Sequence, residues 1–172
     1  MANLTKTKHL FGFTSPRSIE KIIPEIDLLV ENFLNEEWSG NEQLQRKYFD
    51  ILFKSDFYEG DKYPSNPSLT ARDRITRAPK SLGFIDLKPK IVLTEVGIEL
   101  LKSKRPHEII TKQLLKFQLP SPFHLQSKKQ DFFVKPYLEL LRLINDVGSL
   151  SKTEVALFFL QLTHIDKYEI IL

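Results

Sequence analysis

The fold is decided by the stretch SLTARDRITRAPKSLGFIDLKPKIVLTEVGIELLKS, residues 68–103. Its first part is rich in arginine and begins with Ser68 and Thr70, either of which could cap a helix. Three apolar residues follow at spacings of three and four, which places them on one helical face. They are Ile75, Ala78 and Leu82. The pattern predicts an amphipathic helix with most of its basic residues off the apolar face.

Two short apolar runs follow this helix after Gly83. Residues 84–87 (FIDL) and 91–93 (IVL) flank a Lys-Pro-Lys tip, and this pattern predicts a β-hairpin. Residues 94–97 (TEVG) then lead into a final amphipathic turn or two. Helix, hairpin and helix in this order form the core of a winged helix-turn-helix, which sets a cationic helix in the major groove of DNA. We therefore expect a mainly α (α+β) protein that binds DNA, with a small β-hairpin as its wing.

Composition limits the class of protein. Of the 172 residues, 41% are hydrophobic and 27% are charged, which is ordinary for a globular chain that buries a core. The chain has no cysteine, so disulfides and thiolate metal sites are excluded. No apolar run is long enough to span a bilayer, and we expect no signal segment, no membrane partner and a cytoplasmic location.

The charge is distributed unevenly along the chain. The net charge of +3 combines a basic arm in residues 1–19, ten acids against four bases in residues 20–60, and thirteen bases against six acids in residues 70–131. Such polarity is expected where one face meets phosphates, because neutralised phosphates release their counterions. A solvated basic surface without a partner is the alternative.

The basic N-terminal arm turns into a helix at a Ser-Pro pair. Free amides at a helix N-terminus can hold a phosphate, so Ser15, Arg17 and Ser18 could bind one there. Ser15, Arg17 and Lys21 are candidate DNA-binding residues. Plain N-capping by Ser15 or Ser18 is the alternative. We expect Pro24 to bend or interrupt the helix that follows.

A second amphipathic helix is predicted for residues 41–54, where it would support the arginine-rich helix. The single tryptophan, Trp38, precedes it and is expected to anchor the core. Residues 56–67 contain one glycine and two prolines and predict a loop. This loop is long for the turn of a helix-turn-helix.

The second half of the chain predicts further helices. Residues 108–117 have a helical pattern, and two prolines close behind them exclude helix. Residues 132–147 predict a helix that Gly148 ends. Ser151 and Glu154 then form a capping box at the start of the next helix. Two helices joined in this way resemble the first half of a second helix-turn-helix.

These patterns suggest three parts. We expect a winged-helix DNA-recognition subdomain in residues 1–107, a helix and proline-rich connector in residues 108–131, and the first part of a second helix-turn-helix subdomain in residues 132–172. The second reading helix and its wing would come next, so we expect the chain to be a fragment.

The arginines of the first helix are the candidates for base contacts, because the guanidinium fork matches the acceptor pair of guanine. They are Arg72, Arg74 and Arg77. A structural ion pair is the alternative for one of them, for example Arg74 with Asp73 or with an acid of residues 20–60. Pro79 removes an amide donor, so this helix should bend or stop near Ala78.

Other polar residues extend the expected DNA footprint. Lys88 and Lys90 would touch phosphates from the wing, and Lys80 belongs to the basic helix. Residues further along would carry the footprint into the second subdomain. They are Lys112, Lys116, Gln118, Ser121 and His124.

Five blocks of this sequence resemble one family in order along nearly the whole chain. They are SPRSIEKIIPE (15–25), TARDRI with LGF (70–84), LTEVG (93–97), KQLLKFQLPSPFH (112–124) and LSKTEVALFFL (150–160). Together they look like the amino-terminal recognition region of type IIS restriction and nicking endonucleases of the BstNBI, PleI, MlyI and AlwI group. The resemblance implies that the chain binds a short asymmetric duplex site as a monomer. It also implies that a separate carboxy-terminal nuclease domain or subunit, dependent on Mg²⁺, cuts nearby.

We expect no catalytic residue, metal ligand or cofactor in this chain itself. Asp86, Glu95, Glu99 and Lys102 form only a superficial version of a metal-dependent nuclease site. The four histidines are scattered without metal-ligand spacing. Two other functions stay open, namely a winged-helix transcriptional regulator without nuclease activity and a complete small nuclease.

Overall fold

The structure, a computed structural model, describes residues 18–119 and 133–171. Over these residues the protein is mainly helical and has one two-stranded antiparallel sheet, as the sequence predicted. The chain divides into two compact units, with the division between residues 110 and 111. No described helix is long and apolar enough to cross a membrane.

The first unit is built from helices around a short hairpin. Its helices are α1 (Ile22–Phe33), α2 (Glu42–Phe53), α3 (Pro67–Ser81) and α4 (Glu95–Lys102). The strands β1 (Ile85–Asp86) and β2 (Val92–Leu93) lie between α3 and α4 in the chain, and Ile85 pairs with Leu93. Helix α5 (Pro106–Lys116) crosses the division between the units. The predicted hairpin is thus confirmed.

An apolar core joins α1, α2 and α3. Each helix buries one face, in the spacing of three and four that amphipathic helices use. The buried residues include Ile22, Ile26 and Leu29 of α1, Tyr48, Phe49 and Leu52 of α2, and Ala71, Ile75 and Ala78 of α3. Trp38 is only 2% exposed and packs edge-on against Tyr48, with ring centroids 5.7 Å apart. This confirms Trp38 as a core anchor.

Neither proline inside the predicted helices ends one. Pro24 lies in the first turn of α1, where a helix has no amide hydrogen bond to lose. Helix α3 continues through Pro79 to Ser81, so it does not stop near Ala78. The hydroxyl of Ser81 donates to the carbonyl oxygen of Thr76 at 2.9 Å, and this bond supports the last turn.

The start of α3 also differs from its prediction. Asn66 is the N-cap, and its side-chain oxygen accepts a hydrogen bond from the amide of Leu69 at 3.0 Å. Pro67 occupies the first helical position, where its missing N–H costs nothing. Ser68 and Thr70 are therefore inside the helix. The Ser68 hydroxyl instead donates to the Asn66 side chain at 2.9 Å.

Two backbone hydrogen bonds join the hairpin to the connection between α1 and α2. The amide of Asn35 donates to the carbonyl oxygen of Ile91 at 2.9 Å, and the amide of Ile91 donates to the carbonyl oxygen of Glu36 at 2.9 Å. Residues 35 and 36 therefore lie along the hairpin like a short additional strand. This contact fixes the tip-side end of β2 against the connection between α1 and α2.

The second unit contains α6 (Pro136–Val147), α7 (Lys152–Gln161) and α8 (Tyr168–Ile171). Gly148, at a φ of +87°, ends α6 as predicted. The capping box is confirmed, because Ser151 and Glu154 each bond the other's backbone amide. After α7 a 3-10 turn (Ile165–Lys167) leads into α8.

An ionic cluster joins α6 to α8. The guanidinium carbon of Arg142 lies 3.9 Å from the centre of the Tyr168 ring, and the Tyr168 hydroxyl donates to Asp146 at 2.6 Å. Burial and this bond to Asp146 raise the pKa of Tyr168 to about 12. The bond from Tyr168 lowers the pKa of Asp146. The two helices are therefore held by a ring, a cation and a carboxylate together.

Candidate nucleic-acid interface

The basic residues of α3 follow from its amphipathic pattern. Because Ala71, Ile75 and Ala78 face the core, the residues about half a turn away face solvent. Arg72 and Arg77 are both exposed, and Lys80 is half-buried. At 3.6 residues per turn the two arginines lie about 140° apart and flank the solvent-facing side of the helix. We call this side the α3 basic face: Arg72, Thr76, Arg77 and Lys80.

Arg72 is the most available cation of this face. Within residues 18–119 and 133–171, its guanidinium has no ion pair or hydrogen bond. Arg77 lies 3.3 Å from the carboxylate of Asp73, one turn earlier on the exposed surface. Such exposed pairs contribute about 0–1 kcal/mol to stability. The pair with Asp73 is therefore weak enough for a phosphate or a base to displace it.

Arg74 lies elsewhere, against α1. Its guanidinium forms an ion pair with Glu25, whose side chain is fully buried. The same guanidinium lies over the ring of Tyr58, 5.3 Å from the ring centre. The structure therefore has the ion pair that the sequence left open as the alternative for Arg74. We leave Arg74 out of the α3 basic face.

Burial controls the protonation of the groups around Arg74. Burial raises the pKa of the Glu25 carboxyl, and the hydrogen bond and charge of Arg74 oppose this rise. The pKa of the Tyr48 hydroxyl is also raised well above its ordinary value, by burial and by the charge of Glu25. The Tyr48 hydroxyl donates a hydrogen bond to the backbone carbonyl oxygen of Glu25, at 3.4 Å.

The tip of the hairpin presents two further cations. Lys88 and Lys90 are exposed on either side of Pro89, and within the described part of the chain neither has an ion pair. The side chain of Asp86 accepts hydrogen bonds from the amides of Leu87 at 2.7 Å and Lys88 at 3.3 Å. These bonds fix the turn that leads into the tip.

The hairpin and α4 are locked to the end of α3 by one threonine. The hydroxyl of Thr94 donates to the carbonyl oxygen of Gly83 at 2.6 Å and accepts from the amide of Gly97 at 3.0 Å. Its backbone amide donates to the carbonyl oxygen of Phe84 at 3.1 Å. This residue therefore caps α4 and ties it to the connection between α3 and β1. The LTEVG block indicated a helix start but not this tie.

The N-terminal candidates divide into two groups. Lys21 is held inside the first unit, because its ammonium donates to the carbonyl oxygen of Phe57 at 3.0 Å and lies 2.6 Å from Glu59. Ser15 and Arg17 lie outside the described residues. Ser18 is at the N-cap of a 3-10 turn but makes no capping bond through its side chain.

The candidates after residue 110 belong to the second unit. Lys112 and Lys116 are exposed on α5, and Gln118 is exposed just beyond it. Ser121 and His124 lie outside the described residues. The structure thus groups Arg72, Arg77 and Lys80 on one helix, and it presents the second-unit candidates as a separate set.

No protein-family model and no curated protein matches this chain. The function proposed below rests on the residues of this interface and on the resemblance of the five sequence blocks.

The acids named as a superficial nuclease centre lie on β1 and on α4. Asp86 uses its carboxylate on backbone amides, and Glu95 and Glu99 are exposed on α4. Among the residues that the structure describes, no three His, Asp or Glu side chains form a group that could hold a metal ion.

Proposed function

We propose that residues 18–102 form a winged helix-turn-helix that binds double-stranded DNA. Helices α1, α2 and α3 followed by a hairpin are the order of elements in that fold. The contact of residues 35 and 36 with Ile91 supports the proposal, since it adds a third strand-like segment beside the wing. The helix α2 packs on α3 as the supporting helix does in such modules.

One observation carries the proposal. The α3 basic face turns Arg72 and Arg77 to solvent, and the hairpin that follows at once in the chain exposes Lys88 and Lys90. A helix in the major groove can present arginine forks to guanine, whereas lysines at a wing tip neutralise phosphates. Base readers and backbone contacts are thus available from neighbouring elements.

The resemblance narrows the proposed role. We propose that the chain is the recognition module of a type IIS restriction or nicking endonuclease, which binds a short asymmetric site as a monomer. Hydrolysis of the phosphodiester, with Mg²⁺, would be supplied by a nuclease domain or subunit outside these residues. Lys112, Lys116 and Gln118 would extend the contact along the duplex.

Selection from a pool of random duplexes tests the proposal. The bound sequences are enriched over several rounds, and the affinity of the enriched duplex is then compared with that of a scrambled one. We expect an asymmetric consensus bound by one copy of the chain. Arg72→Ala should lose the enrichment, whereas Lys47→Ala, at an exposed cation on α2, should retain it.

Each other outcome points to a different function. A palindromic consensus bound by two copies would favour a winged-helix transcriptional regulator, because such regulators pair half-sites with protein dimers. Nicking of plasmid by this chain with Mg²⁺ would place a nuclease inside it. A pool that shows no enrichment would reject sequence-specific binding.

A further inference from the structure

We infer that Arg74 is a positioning residue, which fixes the rotation of α3 through Glu25 and thereby aims Arg72 and Arg77. This inference rests on the proposed function, because it assigns a role in recognition to a side chain that is turned away from solvent. It differs from base contact by Arg74, which the sequence had suggested.

The pair is largely shielded from water, and not all of its polar atoms have hydrogen-bond partners. Glu25 has no exposed side-chain area, and the Arg74 side chain is 15% exposed. One guanidinium nitrogen bonds one carboxylate oxygen, while Glu25 Oε2 and Arg74 Nε have no hydrogen-bond partner. A buried ion pair with unsatisfied atoms is a poor source of stability, because the desolvation cost offsets the attraction.

The apolar face of α3 carries only two large side chains. Ala71, Ile75, Ala78 and Leu82 are all buried, and only Ile75 and Leu82 are large. Two alanines fill little of the space between helices, so the ion pair adds to the packing in setting the rotation of α3 about its axis. A turn by one residue is about 100°. It would separate Arg74 from Glu25 and leave the fully buried Glu25 carboxylate without its partner.

The ion pair therefore selects one rotation of α3. Tyr58 restricts the guanidinium further, because its ring lies against it on the side of the α2–α3 loop. With Arg74 fixed, the α3 basic face can point in only one direction from the unit. A guanidinium recognises a base only in a narrow range of positions. The arginines that contact bases must therefore be held close to that geometry by the residues around them.

A double-mutant cycle in sequence discrimination tests the assignment. The variants are Glu25→Gln, Arg74→Met and their combination, and the quantity measured is the ratio of Kd for scrambled and selected duplexes. We expect each single variant to lower this ratio by roughly tenfold, the discrimination of about one good base contact. The combination should lower it no further than the worse single variant. The salt dependence of scrambled-duplex binding should stay unchanged in all three.

Direct base contact predicts a different pattern. If Arg74 reads a base, Glu25→Gln keeps the discrimination that Arg74→Met loses. If Arg74 touches a phosphate, the salt slope falls with Arg74→Met. Either result would overturn the inference. Glu25→Leu with Arg74→Met replaces the pair by apolar groups and controls for folding, because such replacement is often neutral for stability. Discrimination is compared only among variants that are folded by circular dichroism.

A distance measurement decides the inference without DNA. The chain has no cysteine, so Asp27→Cys with Arg77→Cys, at exposed positions on α1 and α3, accepts one spin label at each position. We expect a narrow distance distribution that broadens or shifts when Glu25→Leu and Arg74→Met are added. An unchanged distribution would show that packing alone sets the rotation. If the wild-type chain selects no duplex, the proposed function fails and this measurement still tests the positioning.

Discussion

Gly97 of α4 lies so close to Phe84 that a Cβ built on it would be 2.0 Å from the Phe84 carbonyl oxygen. The contact lets α4 pack directly on the backbone that leaves α3. No side chain fits there, because the nearest atom belongs to the main chain and cannot swing away. The lack of space for a Cβ explains why residue 97 is a glycine, although it lies inside a helix.

Gly97→Ala should therefore destabilise the first unit by about 1–3 kcal/mol, the usual cost of overpacking. Trp38 lies in the core of that unit, so its fluorescence during urea unfolding reports the loss directly. Ile98→Ala, at an exposed position of the same helix, is the matched control and should change stability little. Equal stability of Gly97→Ala and wild type would contradict the close approach.

Arg72→Ala should weaken binding to the selected duplex by about 1–3 kcal/mol and relax sequence preference, as the loss of a base-reading arginine does. Binding to scrambled duplex should change much less. Anisotropy titrations with both duplexes measure the two effects. An equal loss on both would mean that Arg72 contacts only the backbone.

Lys88→Ala should act differently, because a phosphate contact carries no sequence information. We expect equal weakening on selected and scrambled duplexes. The slope of log K against log salt should become shallower by about 0.9, the value for one neutralised phosphate. Lys90→Ala should behave in the same way, and Lys47→Ala should leave the slope unchanged.

The buried carboxyl of Glu25 should make stability depend on pH. Because burial raises its pKa, the folded chain keeps a proton that the unfolded chain releases above the ordinary value of 4.5. The stability from this proton is full below pH 4.5 and is lost as the pH rises through the raised pKa. The free energy of unfolding of wild type should thus fall relative to Glu25→Gln as the pH increases. Glu31→Gln, at an exposed position of α1, should show no such trend relative to wild type.

The Tyr168 hydroxyl should lose its proton only at strongly alkaline pH. Its pKa of about 12 means that the stability linked to its protonated form is intact below pH 10 and is lost as the pH rises through about 12. Asp146→Asn should lower this pKa, because the hydrogen bond to a charged acceptor and its charge both raise it. Absorbance at alkaline pH, with Tyr168→Phe to assign the signal, measures the shift. Asp166→Asn serves as the control, and a matching shift there would refute the specific role of Asp146.

Local patterns predicted much of the fold. The hairpin, the capping box at Ser151 and the helix after Asn41 each follow from residues close together in sequence, and each is present. The Asn66-Pro67 pair is also a local signal, typical of an N-cap followed by the first helical position. The serine and threonine that follow predicted a later start of α3, at Ser68 or Thr70, than the one observed.

The role of Arg74 could not be predicted in the same way. Its partner Glu25 lies on another helix, 49 residues away in the chain. A faint signal existed, because Glu25 occupies the apolar face of α1 beside Ile22, Ile26 and Leu29. A charged residue in such a position needs a partner. Periodicity identifies that need, but only the packing of α1 on α3 identifies which of three arginines meets it.

The bonds between Ile91 and the α1–α2 connection enclose α2 and α3 in one chain loop. Closing a long loop costs entropy before its contacts form, so such non-local pairing slows folding. The amide of Ile91 should therefore exchange its hydrogen only when the whole first unit opens, although it lies one residue from an exposed tip. The hairpin therefore unfolds together with the core of the first unit.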